Sequence, residues 1–403
     1  SLQVEPGESV GLVSAESIGE PGTQMSLDYE EKIIVKTAKG IRTVKIGELV
    51  DKAMDSFGSQ KLSAQSEVLP TNAELYVPAL SQDEKVEWKK VKALSRHKSP
   101  EKLLKIKTRS GRRITATPYH SFVIRQNNKI MPVAGSKLRK GERLPIVREL
   151  VTEQNVKTIA MEEYLPKESY IYSSEIKKAL KTGNSRIKRQ FKSPLSYEQI
   201  HNYEKGNTRT ILQEACVYPY QNHSKARIPE MLELDQDFGW LIGAYLAEGT
   251  HTQNYIAITN ISEEYLEKSA AFAQKYGINY KVKHEKGEYG ESASLLIYST
   301  VLADLINITC SRKSSGKRVP GFAYNADKGF IGSLLKAYFD GDGNISLSRK
   351  VIRVSSNSKE LLDGIAVLLS RFGIFAAKKS DRKGQWGLTI SYRYAKKFEE
   401  GIG

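Results

Sequence analysis

Apolar and polar positions change their period three times along the 403 residues. Between 32 and 46, KIIVKTAKGIRTVKI alternates around a Lys-Gly turn and predicts a β-hairpin. LLKIKTRSGRRITATPYHSFVI (103–124) alternates around Ser110-Gly111, and KLRKGERLPIV (137–147) predicts another turn leading into a strand. Residues 26–150 therefore read as one all-β unit. The next stretch, 151–228, is polar; its run 176–192 holds seven Lys or Arg and no acid. SPLSYEQIHNYEKGN (193–207) has a Ser cap and helical spacing, so 151–228 reads as a basic helical connector.

From 229 onward the pattern repeats itself. FGWLIGAYLAEG (238–249) and GSLLKAYFDGDG (332–343) each predict a helix ending in an acid and a Gly. The first is followed by NYIAITN, an amphipathic helix ending YGI, then YKVKH and SLLIYS. The second is followed by NISLS and VIRVSSN, an amphipathic helix ending FGI, then AAKKS and GLTISY. The offset is 94 at the acid, 96 at Gly-Ile and 93 at the last apolar triplet. Both copies, about 229–325 and 326–403, read as helix, hairpin, helix, hairpin, helix: a pseudo-two-fold α/β unit of two αββαββα repeats.

Aligning the copies on Glu248 and Asp342 matches Gly243 with Ala337 and Ala247 with Gly341. Small residues at i and i+4 share one helix face and let two backbones approach closely. If the two helices pack on that face, the two carboxylates end side by side and repel unless a cation lies between them. A hard divalent ion such as Mg²⁺ suits that place and the chemistry of phosphoryl displacement. The plainer alternative is a Gly C-cap ending each helix; the matched repeat favours the metal. DGDGN (340–344) is not a calcium loop, since Gly is not sixth and Val351 falls where the closing Glu belongs.

Charge is compatible with that reading. The net charge is +16, and residues 1–25 hold four Glu and no Lys or Arg, so the remainder carries +16 + 4 = +20. Such a balance suits a polyanionic partner, most simply nucleic acid, and a merely solvated basic surface about equally well. Two isolated cysteines, Cys216 and Cys310, fit an intracellular chain without a disulfide framework. No apolar run approaches the roughly 20 residues that span a bilayer, so no membrane is expected.

The paired helices resemble the LAGLIDADG motifs of homing endonucleases, over roughly 229–403. That resemblance implies a motif-helix interface with Glu248 and Asp342 binding the catalytic metal, Mg²⁺ or Mn²⁺. It also implies a Lys near the water network, for which Lys317 in GKRVPGF (316–322) is the match. The hairpins would form a saddle in the DNA major groove, with Lys281, Lys283, Arg353, Lys378 and Lys379 among the contacts, and 151–228 a DNA-recognition arm. The internal repeat suggests that a monomer supplies both half-sites.

Such endonucleases often sit inside inteins, and the β unit fits that setting. SLDYEEKIIV (26–35) resembles the first intein block, with Tyr29 in fourth place; GRRITATPYHSFVI (111–124) resembles the second, with its T-x-x-H at Thr117–His120. The two blocks imply the all-β Hint fold. Self-splicing begins with an N-to-O acyl shift at Met25–Ser26, which requires a hydroxyl or thiol directly after the bond and an imidazole near neutrality. Ser26, Thr117 and His120 supply those groups, with no cofactor. Most inteins begin with Cys, a stronger nucleophile than Ser. The His-Asn pair His201-Asn202 precedes the endonuclease and is followed by Tyr, so it is rejected as the terminal splicing block. The chain alone is expected to carry the first step and not Asn cyclisation.

VEPGESVGLVSAESIGEPGTQM (4–25) resembles the archaeal RNA polymerase largest subunit, in its A″ part, just ahead of the trigger loop. Met25/Ser26 is then the junction between host and intein: 1–25 extein, 26–150 splicing unit, 151–228 arm, 229–403 endonuclease. The expected partners are duplex DNA at the intein-free host gene site and, after splicing, the polymerase, in the cytoplasm. The competing expectation is a DNA-binding module with an inactive endonuclease, leaving splicing alone.

Overall fold

The computed structural model describes residues 26–100, 102–152, 155–174, 194–203, 218–220, 226–287, 290–380 and 385–403. Residues 1–25, Met25 included, and the basic run 176–192 lie outside the described residues. The chain divides after Val151 into two compact units. Among the described residues no helix is long and apolar enough to cross a membrane.

In the first unit, β1 (Lys32–Thr37) and β2 (Gly40–Lys45) form the expected hairpin, in register from Lys32↔Lys45 to Thr37↔Gly40. Then comes a helix where an all-β unit was expected: α1 (Ile46–Phe57). Its apolar residues 46, 49, 50, 53, 54 and 57 fall at the spacing of one helical face, which buries Val50 and Met54. Nine strands follow: β3 (Gln60–Ser63), β4 (Ser66–Pro70), β5 (Tyr76–Leu80), β6 (Val86–Lys90), β7 (Ala93–His97), β8 (Leu104–Lys107), β9 (Arg113–Ala116), β10 (Ser121–Gln126) and β11 (Lys129–Ala134). They form antiparallel sheets β2-β1-β5-β6, β3-β4-β7, β8-β9 and β10-β11. Val35, Val50, Met54, Leu75, Val77, Val91 and Leu94 make the core between α1 and the two sheets that hold β1, β5 and β7. The strand expected within 137–147 does not form; only the Arg125 amide bonds to the Arg143 carbonyl, at 3.2 Å. Pro145 has no N–H to give a ladder.

The second unit opens with β12 (Thr158–Ala160), β13 (Tyr170–Tyr172), β14 (Leu195–Ser196), α2 (Tyr197–Tyr203), β15 (Tyr218–Pro219) and β16 (Met231–Glu233). In its described residues the expected helical connector holds four short strands and one α-helix. β12 pairs with β16, and β13 lies between β14 and β15. The Ser cap is present: Gln199 N–H donates to Ser196 Oγ (3.1 Å) and Ser196 N–H to Gln199 Oε1 (3.0 Å), a reciprocal capping box at the start of α2.

The two repeats follow in the predicted order. The first is α3 (Gln236–Glu248), β17 (Gly249–His251), β18 (Tyr255–Asn260), α4 (Glu263–Lys275), β19 (Tyr280–Gly287), β20 (Gly290–Tyr298) and α5 (Thr300–Cys310). The second is α6 (Lys328–Asp342), β21 (Gly343–Ser346), β22 (Val351–Ser356), α7 (Lys359–Ser370), β23 (Ala376–Ser380), β24 (Trp386–Ser391) and α8 (Ala395–Gly401). Their sheets have equivalent orders, β17-β18-β20-β19 and β21-β22-β24-β23. Local signals repeat as well. Asp235 caps α3 through the Phe238 amide and Asp327 caps α6 through the Phe330 amide, each at 2.8 Å. Ser262 and Ser358 cap α4 and α7 in the same way. Gly277 and Gly373, after those helices, take φ of +64° and +66°, where a Cβ would be strained.

Candidate functional site

Two sites stand out, one on each unit. In the first, residues 26–28 lie antiparallel to the end of β9, with a bridge between Leu27 and Ala116. Ser26 and Thr117 are locked to each other: the Ser26 amide donates to Thr117 Oγ1 (3.0 Å), and the Thr117 amide donates to the Ser26 carbonyl (2.9 Å). Thr117 Oγ1 therefore touches the nitrogen of the Met25–Ser26 peptide. Tyr29, fourth in the block, lies over Gly47; a Cβ on that glycine would overlap its ring.

His120 follows Thr117 by one tight turn, closed by its amide on the Thr117 carbonyl (3.1 Å). Its ring is 5% exposed and packs edge-on to Phe122 at 5.0 Å. Burial pushes its pKa down to about 4, so the imidazole is neutral at pH 7. Among the described residues neither ring nitrogen has a hydrogen-bond partner. A buried imidazole with both nitrogens free is costly unless something further meets it. The bond it is expected to meet begins at Met25, outside the described residues.

His97, which no motif had marked, closes on Ser26 from the end of β7. Its Nε2 is hydrogen-bonded to Ser26 Oγ, and its Nδ1–H donates to the Lys98 carbonyl at 2.9 Å. A cavity of about 320 Å³ opens beside them, lined by Ser26, Asp51, Arg96, His97, Pro100 and Thr117 among others.

The second site is where α3 and α6 cross. A Cβ on Gly239 would stand 2.5 Å from the Phe330 carbonyl oxygen, and one on Gly243 2.1 Å from that of Leu334. One on Gly341 would stand 2.7 Å from Ala247 Cβ. The helices pack at backbone contact, as the small residues predicted. Glu248 and Asp342 are the last residues of the two helices. Gly249 and Gly343 have φ of −83° and −81°, so neither is a left-handed cap. Each is glycine because a Cβ would strike its own helix, 2.6 Å from the Tyr245 oxygen or 2.1 Å from the Phe339 oxygen.

The acids adjoin. A Cβ on Gly341, next to Asp342, would lie 3.4 Å from Glu248 Cγ. Lost hydration first and the Glu248 charge second push Asp342 up to about 7. Asp342 keeps an open side to solvent, so its dehydration is partial and the charge beside it matters. Burial likewise raises Glu248, with Lys317 opposing. Lys317 is 6% exposed, and its Nζ donates to the Tyr245 (2.8 Å) and Leu246 (3.1 Å) carbonyls at the C-terminal end of α3, where Tyr245 O also accepts from the Gly249 amide. Burial lowers its pKa to about 8 against the pull of both carboxylates. Ser358, the cap of α7, donates to the Lys317 carbonyl at 2.5 Å and fixes that backbone.

Among the described residues no three His, Cys, Asp or Glu side chains cluster as a closed metal cage. Two carboxylates with an open side suit Mg²⁺, which keeps several waters and takes oxygens from substrate phosphates. The donor set therefore fits the ion.

Of the five basic strand residues, Lys281 and Lys283 are exposed on the outer face of their sheet, in register with Leu296 and Ser294. Arg353 and Lys379 take the outer face of the second sheet, paired with Thr389 and Gly387. Lys378 does not join them. It pairs with Leu388 on the helix-facing side, and its ammonium is bound by Asp363 of α7. Adjacent strand residues point to opposite faces, so Lys378 and Lys379 cannot share one.

An intein splicing domain profile matches residues 34–289, and a LAGLIDADG-like domain profile matches 329–403. The chain is 44% identical over 399 residues to the DNA-directed RNA polymerase subunit Rpo1C of Methanocaldococcus jannaschii, covering 99% of this chain and 41% of that protein. It is 23% identical over 437 residues to a DNA polymerase of Thermococcus kodakarensis, covering 90% of this chain and 26% of that one. The chain thus spans less than half the length of these relatives. The crystal structure of the transcription factor IIB Mvu mini-intein aligns at 29% identity over 31% of this chain and 70% of that one, with a TM-score of 0.29, too low to carry an argument.

Proposed function

The chain belongs to the intein splicing family, and on that premise we propose that its first unit performs the opening step of protein splicing at Met25–Ser26. The observation that carries this reading is the reciprocal pair between Ser26 and Thr117, which sets the scissile nitrogen on a hydroxyl. Ser26 Oγ is the nucleophile and Met25 the acyl donor. Thr117 Oγ1 holds the Ser26 N–H and orients the amide. His120, neutral and unpartnered, is available to polarise that peptide. Residues 1–25 are the host segment, consistent with their likeness to the polymerase large subunit and with the 44% identity above. After splicing, the joined exteins would become part of RNA polymerase, in the cytoplasm. Hydroxylamine added to the intact chain tests this: it should release a fragment ending at Met25, and Ser26→Ala should abolish the release.

The second unit carries a LAGLIDADG-like domain and, in this reading, cleaves duplex DNA as a monomer at the intein-free host site. Glu248 and Asp342 would hold Mg²⁺ or Mn²⁺, which when bound supplies positive charge for water activation and phosphate stabilisation. Lys317 keeps the end of α3 in place and sets a cation beside both acids. Lys281, Lys283, Arg353 and Lys379 present positive charge on the outer sheet faces, where phosphates and base edges would lie. The competing reading, a DNA-binding module that no longer cuts, shares that basic surface. The paired raised acids favour cleavage, since a binding surface gains nothing from forcing two carboxylates together.

A further inference from the structure

We propose that His97 is a catalytic residue of the acyl shift, the general base that takes the proton from Ser26 Oγ. This rests on the splicing reading above and adds a residue that neither block motif contains. The geometry is specific. The Lys98 carbonyl can only accept, so the 2.9 Å bond places a proton on His97 Nδ1. Nε2 then carries a free lone pair and accepts from Ser26 Oγ–H. Nucleophile, base and an orienting third group stand in line, the arrangement that activates a hydroxyl elsewhere.

A serine needs this help more than a cysteine does, because its hydroxyl does not ionise near pH 7, whereas a free thiol has a pKa of about 8.5. The other nearby side chains do not compete for the proton. Arg96 is committed to Asp51 (2.8 Å) and Glu67 (2.9 Å). His120 is dry and neutral, and no bond joins it to Oγ.

The step balances internally. As Oγ forms the ester C–O bond to the Met25 carbonyl carbon, the Met25–Ser26 C–N bond breaks. One proton passes from Oγ to Nε2, and the imidazolium returns one to the leaving Ser26 nitrogen. The product is an isomer, and no co-reactant is consumed.

The test is hydroxylamine-trapped release at Met25–Ser26 from the full 403-residue chain between pH 6 and 9. His97→Gln keeps a polar group of similar reach without a basic nitrogen. It is expected to slow release about 100-fold and to leave a residual rate that keeps rising with hydroxide. In a Ser26→Cys background the same substitution should cost less than about tenfold at pH 9, where the thiol ionises unaided. Unchanged release in His97→Gln would overturn the proposal and leave the splicing reading standing. An equal fractional loss in both backgrounds would also overturn it, since it would mark His97 as structural. No release from the parent chain at any pH would overturn the splicing reading and this role together.

Discussion

Gly243 and Ala337 hold equivalent places in the two repeats, and they meet each other: a Cβ on Gly243 would stand 2.9 Å from Ala337 Cβ. Ala247 and Gly341, the next equivalent pair, meet in the same way. Contact between equivalents is what a two-fold axis produces. The axis passes between the helices and brings Glu248 and Asp342 together at their ends. Enlarging Gly243 should therefore damage both fold and site. Gly243→Leu is expected to cost roughly 2–4 kcal/mol and to abolish DNA cleavage, measured by thermal unfolding and plasmid nicking. A variant that unfolds at the parent temperature would show that the helices do not pack at backbone contact.

The acid pair predicts an inverted stability profile. The folded pKa of Asp342, about 7, lies above an unfolded value of about 3.9. Its contribution to stability is thus full below about pH 4 and lost as pH rises through about 7. In chelator, Asp342→Asn should be at least as stable as the parent at pH 8 and yet fail to cut DNA. Mg²⁺ should raise the parent melting temperature more at pH 8 than at pH 5.5, because the ion must displace the proton. Destabilisation by Asp342→Asn at pH 8 without metal would contradict the picture of two carboxylates in repulsion.

His120 gives the opposite sign. Its folded pKa of about 4 lies below the usual 6.5 for histidine, so its contribution is full above about 6.5 and lost as pH falls toward 4. The shift corresponds to roughly 3 kcal/mol. Nitrogen-15 imidazole spectra should show His120 neutral at pH 5.5. A titration midpoint near 6.5 would mean that the ring is not dry.

The two lysines of β23 separate DNA contact from stability. Lys379→Ala is expected to weaken DNA binding at low salt and reduce the slope of log affinity against log salt by about one. Lys378→Ala should leave that slope unchanged and cost about 1 kcal/mol, since it strips Asp363 of one of its two lysines. Equal salt slopes for both variants would contradict the alternation of faces.

The repeat was the most legible feature of the sequence, because its signals are local and occur twice: an Asp cap three residues before a Phe, a Ser cap, small residues at i and i+4, and an acid at each helix end. Ser26, Thr117 and His120 were legible as residue types that the acyl shift requires. α1 was equally open to reading, with apolar residues on one helical face, but the β alternation on either side obscured it. The separate faces of Lys378 and Lys379 follow from strand periodicity alone. His97 was not legible. It is a single histidine at a strand end, and only the folding of β7 against the start of the splicing unit brings it to Ser26. The reason for Gly249 and Gly343 was also hidden, since a helix-ending glycine normally signals a left-handed φ and here relieves a clash.

The most direct measurement is a Mg²⁺-dependent cleavage assay on duplex DNA encoding the polymerase segment without the insertion, with scrambled DNA and Asp342→Asn protein as controls. One double-strand cut close to the codons that flank Met25/Ser26, absent with both controls, is the predicted result. Tight binding of that duplex without a cut in Mg²⁺ or Mn²⁺ would contradict the account of Glu248 and Asp342 as a catalytic pair.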